Sequence, residues 1–177
     1  KGHWEASGDP TEAAMLIEEC IEELRLAVDA TSDHDGDLAG LLASLRYRLG
    51  DRLRTAGLNV DWKVRHTPPL DRLRERGAQD LLRIAQEFLN NTLKHSGADQ
   101  VSVETIFDAM TQEVSLTLAD NGRGFDLSAA GKPGHGLANM RQRANAMGAA
   151  YELSSGISGT VLKLTWAIDL QARSTKP

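Results

Sequence analysis

Cysteine is nearly missing from these 177 residues: the one thiol, Cys20, has no partner for an internal disulfide. A reducing compartment fits such a chain best. Aromatic residues make up only 5% and proline only five positions, yet 41% of residues are hydrophobic and 25% charged. That balance is ordinary for a soluble domain, and the length suffices for a core without disulfide or metal staples. Excess positive charge is also absent. A formal net charge of −5 speaks against a broad nucleic-acid-binding face, so no direct nucleic-acid partner is expected. No apolar run approaches the roughly 20 residues that span a bilayer. The opening Lys1-Gly2-His3-Trp4-Glu5 leads into polar sequence, unlike a signal peptide. An initiator Met is missing as well, which sets the expectation of a piece of a longer protein. Any membrane contact would then run through parts absent here.

Charge is spread unevenly along the chain. Asp9 to Asp37 holds ten acids and one base, Arg25, while Arg46 to Arg76 holds nine bases and four acids. The pattern predicts a first helix over about Thr11 to Ala30, with Ile17, Ile21, Leu24 and Val28 as its apolar stripe. Thr31 to Gly36 breaks it. A second helix is expected from about Asp37 to Ala56, with Leu38, Leu41, Leu42, Leu45, Leu49 and Leu53 on one face and Gly57 as its stop. These stripes have three conceivable partners: each other, a second chain, or the domain that follows.

From Leu58 the periodicity changes. Leu58 to Val64 alternates as a strand, and Leu81 to His95 reads as an amphipathic helix closed by Gly97. Val101–Ile106 and Glu113–Leu118 suggest an antiparallel pair. A glycine-bearing loop runs from Asp120 to Gly136, a helix from Gly136 to Met147, and two more strands cover Tyr151–Leu153 and Thr160–Ile168. Hairpin-joined strands with helices gathered on one face make an α+β sandwich rather than a doubly wound sheet. Trp62, Trp166, Met140 and Met147 are expected in its core.

Three patches carry candidate chemistry. Glu87 and Asn91 are four apart and share a helical face, with Lys94 and His95 one turn beyond. Carboxylate and amide oxygens suit Mg²⁺, and cations suit phosphate oxygens. Asp120-Asn121-Gly122-Arg123-Gly124-Phe125-Asp126 follows a strand, where glycines permit a close backbone approach to a ligand. Gly134-His135-Gly136-Leu137 opens a helix and offers N–H groups to an anion. Each alone has a bland reading: a solvated helix face, a hairpin turn, a loop. Lys132 is not part of a Walker loop, because Pro133 follows it and no G-x-x-x-x-G-K-[ST] is present.

In this order the three resemble the N, G1 and G2 boxes of the Bergerat-fold (GHKL) ATPases. Ser158-Gly159-Thr160 is similar to the element that closes the adenine pocket there. The likeness covers Gly57 to Leu170, roughly two thirds of the chain. Leu93-Lys94-His95 after the N box, and Gly136-Leu137 followed by Met140-Arg141-Gln142-Arg143-Ala144, resemble two-component sensor histidine kinases. The subfamily is the one with short dimerisation helices and helix-turn-helix regulator partners. Residues 1–56 would be the end of the dimerisation domain with a linker helix, and 57–177 the ATP-binding catalytic domain.

The resemblance implies ATP and Mg²⁺ as cofactors. Asp120 and Thr160 would take adenine, with room made by Gly122 and Gly124. Asn91 and Glu87 would hold the metal, with Glu87 also ordering its water. Lys94 and His95 would face phosphate, and Gly134, Gly136 and Leu137 would offer N–H groups to it. Leu127 to Gly134 would form a lid, with His135 a loop residue rather than a general base. It implies a response regulator as partner, a homodimer in the full-length protein, and a cytoplasmic place on a membrane-bound sensor. The family's acceptor-histidine box does not occur here. His34-Asp35 is the one His-Asp pair but reads as a loop before Gly36. The acceptor is therefore expected upstream of the chain rather than at His34, and this piece is expected to be unable to phosphorylate itself. A serine kinase of the anti-sigma-factor type and a non-catalytic nucleotide sensor are the alternatives.

Overall fold

The computed structural model describes residues 35–74, 76–127 and 135–168. The expected first helix, His34 and most of the lid, Gly134 included, lie outside them. Three α-helices, α1 (Leu38–Thr55), α2 (Arg76–Asn91) and α3 (His135–Ala146), accompany five strands. These are β1 (Asn59–Lys63), β2 (Gln100–Asp108), β3 (Glu113–Asp120), β4 (Ala150–Gly156) and β5 (Gly159–Ala167).

The strands form one sheet in the order β1-β2-β3-β5-β4. β1 runs parallel to β2, joined through the α2 crossover; the remaining pairs are antiparallel. Alternation along the strands sends Val103, Leu118, Leu162 and Leu153 into one cross-strand row and Thr105, Leu116, Leu164 and Tyr151 into the next. Trp166, Met140 and Met147 are buried with them, as expected, and Trp62 packs on the edge of the cluster. On α3, Arg141 lies over the Tyr151 ring, 5.5 Å from its centroid. Burial holds the Tyr151 phenol above its ordinary pKa, partly offset by that guanidinium.

The six leucines of α1 are all buried and join the same core as the sheet, so the second stripe is covered by the following domain. Asp37 caps the helix by accepting the Ala39 N–H at 3.0 Å. At the other end Gly57, at φ +80°, lets the Leu58 N–H reach back to the Leu53 carbonyl at 2.9 Å. Removing the cap in Asp37→Ala should lower unfolding free energy by about 1 kcal/mol in urea melts, with no change in ligand affinity. A cost under a few tenths would mean that the leucines alone set the helix start.

α2 begins at Arg76, five residues before its apolar stripe; a 3₁₀ turn at Asp71–Leu73 precedes it, and the Gly77 N–H reaches the Arg74 carbonyl at 3.1 Å. Gly77 is needed there: a Cβ would strike the Arg72 carbonyl. The far end of α2 is also irregular. Residues Thr92–Ser96 form a π-turn that ends on Gly97 in the left-handed conformation, φ +65°.

Candidate nucleotide site

A cavity of about 420 Å³ opens between α2, α3 and the ends of β3, β4 and β5. That is within the usual size of a small-molecule pocket. The sheet supplies its floor. Asp120, the last residue of β3, is 7% exposed, and its carboxylate is held from three sides. Oδ1 accepts the N–H groups of Gly122 at 2.8 Å and Thr160 at 3.3 Å, and Oδ2 lies 3.3 Å from the Thr92 hydroxyl. The Thr160 and Ser155 hydroxyls are 3.0 Å apart across the β4–β5 hairpin, and Ser155 Oγ accepts the Phe125 N–H at 2.9 Å. This leaves an acidic acceptor and a hydroxyl at the closed end, where a buried donor such as an exocyclic amine would be held.

The loop after Asp120 is pressed onto the π-turn. Asn121 accepts the N–H groups of Asp99 and Gln100 at 3.2 and 3.0 Å. A Cβ on Gly122 would come 2.5 Å from Ser96 Cβ, so only glycine permits this approach. Gly124, at φ +59°, passes so close to the Gly156 carbonyl that a side chain would collide with it.

The other wall belongs to α2 and α3. Glu87 and Asn91 both line the cavity, and the Asn91 amide donates to Glu87 Oε1 at 3.2 Å. One of the two amide N–H groups is thereby engaged, which turns the Asn91 carbonyl oxygen away from Glu87 as the acceptor that remains. At the N-terminus of α3, Gly136 faces Glu87, and a Cβ there would run into its carboxylate. A carboxylate and an amide carbonyl beside a helix N-terminus are hard oxygen donors and N–H groups of the kind Mg²⁺ and phosphate take.

Of the residues singled out in the sequence, Glu87, Asn91, His95, Asp120, Gly124, Gly136, Leu137 and Thr160 line one cavity. Gly122 sits just behind it, against Ser96. Lys94 is exposed and does not line it. Gly134 falls outside the described residues, and His135 opens α3 rather than standing in the loop. Sequence reasoning missed Phe88, Thr92 and Ser96, although their spacing of four marks a second stripe beside Glu87–Asn91–His95. It also missed Ser155 and the side chain of Arg123.

Residues 77–170 match the family model for histidine kinase-, DNA gyrase B-, and HSP90-like ATPases. The sensor protein VraS of Staphylococcus haemolyticus is 33% identical over 141 residues, covering 79% of this chain and 40% of that protein. The chain therefore spans less than half the length of the curated relatives it matches. The histidine kinase domain of the Erythrobacter litoralis blue-light activated histidine kinase superposes with a TM-score of 0.65 at 17% identity, over 91% of this chain and 79% of that one. The Acinetobacter baumannii histidine kinase AdeS gives 0.65 at 16%, over 92% and 87%. Both share the α+β fold.

Proposed function

Because the chain belongs to the histidine kinase-, DNA gyrase B-, and HSP90-like ATPases, we propose that it is the ATP-binding catalytic domain of a sensor histidine kinase. It would transfer the γ-phosphate to a histidine outside residues 1–177, from which a response-regulator aspartate takes it. The observation that carries this reading is one cavity holding a clamped Asp120 at its closed end and a Glu87–Asn91 pair facing a helix N-terminus at its open end. Adenine fits the first, since its amine donates to a carboxylate; the triphosphate fits the second. Membership of an ATPase family supports ATP as the nucleotide.

Mg²⁺ fits the oxygen donors of Asn91 and Glu87, and when bound it would neutralise charge developing on the phosphate oxygens. Asn91 would present its carbonyl, and Glu87 would hold the Asn91 amide in that orientation while accepting a proton from ordered water. His95, at the cavity wall, would face phosphate, with Lys94 beyond it at the rim. Gly136 and Leu137 would offer N–H groups from the first turn of α3, joined by Gly134 from the lid. Phosphoryl transfer asks for this kind of positioning and charge neutralisation.

Residues 1–56 would be the remnant of a dimerisation domain, with α1 as the linker helix seated on the catalytic core. The full-length protein would be a homodimer, and this piece a cytoplasmic part of a membrane-bound sensor. No helix among the described residues is long and apolar enough to cross a membrane. The test is calorimetric titration with ATP, with and without Mg²⁺. Saturable binding that Mg²⁺ tightens is expected; an absence of binding in both conditions would end the reading.

A further inference from the structure

We propose that Arg123 is a positioning residue that fixes the π-turn carrying His95, and so sets the phosphate end of the nucleotide independently of its base. The inference rests on the ATP reading above. Arg123 donates twice, to consecutive carbonyls. Its backbone N–H reaches Ser96 O at 2.9 Å, and its Nε–H reaches His95 O at 3.0 Å. These are the last two carbonyls of the turn Thr92–Ser96, where a helix end leaves acceptors without intrahelical partners and a partial negative charge. A guanidinium is matched to both features: it donates, and it is positive.

The two ends of the cavity depend on different bonds. Asp120 is held by the Gly122 and Thr160 N–H groups and by the hydroxyl of Thr92, which opens the turn and is tied back to the Phe88 carbonyl of α2 at 3.0 Å. None of these bonds involves the Arg123 side chain, which holds the opposite end of the turn. The Nε bond holds only the carbonyl of His95, the residue that carries the imidazole at the cavity wall. Cutting back Arg123 therefore loosens the turn from the side of His95 and leaves the base end in place. The Arg123 backbone bond to Ser96 survives any such substitution, which keeps the loop seated. A lysine retains the charge but has no donor at the Nε position, so it does not replace the bond.

The experiment is an amide-resolved NMR titration of the whole chain, as wild type, Arg123→Ala and Arg123→Lys, with Mg·ATP and separately with adenosine. Amide shifts read affinities into the millimolar range that adenosine demands. Both variants should bind ATP about tenfold more weakly and adenosine within about twofold of wild type, with melting temperatures little changed. In the nucleotide-free protein, the amide signals of Lys94, His95 and Ser96 should move. Parallel losses for ATP and adenosine would reduce Arg123 to a general structural role and overturn the proposal. So would an unchanged ATP affinity, or full recovery by lysine, which would leave only charge. If wild type binds neither ligand, the ATP reading falls and takes the proposal with it; unmoved signals at Lys94 to Ser96 would sink the clamp alone.

Discussion

Asp120→Asn should weaken ATP binding by at least about 100-fold while leaving the domain folded. The two outcomes separate because the carboxylate has two jobs. Toward the protein, Oδ1 accepts from Gly122 and Thr160. An asparagine carbonyl can do the same. Oδ2 meets Thr92, whose hydroxyl also lies 3.0 Å from the Phe88 carbonyl and can donate there, leaving its lone pairs for the new amide. The folding cost should therefore stay near 1 kcal/mol. Toward adenine, an amide N–H₂ takes the place of a charged acceptor and meets the exocyclic amine donor to donor. A lost charge-assisted bond and a buried unpaired donor come to about 3–5 kcal/mol together. The same change should narrow any preference for ATP over GTP, because the guanine carbonyl can accept from asparagine. Calorimetry with both nucleotides, beside urea unfolding, checks all three statements. A loss of less than tenfold in ATP affinity would move the base away from Asp120.

The sequence made the ends of the cavity legible for a simple reason. Strands alternate and helices repeat at 3.6, so Asp120 at a strand end and Glu87–Asn91 on a helix face could be placed from spacing alone. Spacing failed where the backbone leaves those two periods. Over Thr92–Ser96 the regular helical phase is lost, and Lys94 and His95, equal candidates on an α-helix, part company: His95 lines the cavity and Lys94 does not. The hydroxyls of Thr92 and Ser96 in that stretch are compatible with an ordinary helix and with a distorted one, so residue type alone does not signal a π-turn. The turn is held from the far side by Arg123, through its backbone N–H on the Ser96 carbonyl and its Nε–H on the His95 carbonyl, while Thr92 and Ser96 bond back to the carbonyls four residues before them.

The partner of the α1 stripe was hidden for a related reason. Amphipathic spacing says that a face is buried, never by what, and three partners suited those leucines equally until the sheet edge took them. Ser155 was missed because its importance comes from register. Pairing Gly156 with Gly159 sets Ser155 opposite Thr160, and only then does a bland hydroxyl support both the floor of the cavity and the stem of the loop at Phe125.

That hairpin also sets the largest stability effect expected here. Gly159 adopts φ +117°, and a Cβ there would drive into the Asp120 carbonyl, with the Asn121 Cα only 3.2 Å away. These are backbone atoms of the neighbouring strand and the loop after it, so no side-chain rotation relieves the contact. Gly159→Ala should cost about 3–5 kcal/mol, combining an unfavourable φ with overpacking. Its cross-strand partner provides the control. Gly156 has no positive φ and nothing within 4 Å of a built Cβ, so Gly156→Ala should stay within about 0.5 kcal/mol of wild type. The expensive substitution also pushes on the residue whose carboxylate would take the base. Whatever fraction of Gly159→Ala remains folded should therefore bind ATP more weakly, whereas Gly156→Ala should bind it normally. Equal urea midpoints for the two variants would show that β5 can shift away from β3 at this end, and that Asp120 is held less firmly than its three hydrogen bonds imply.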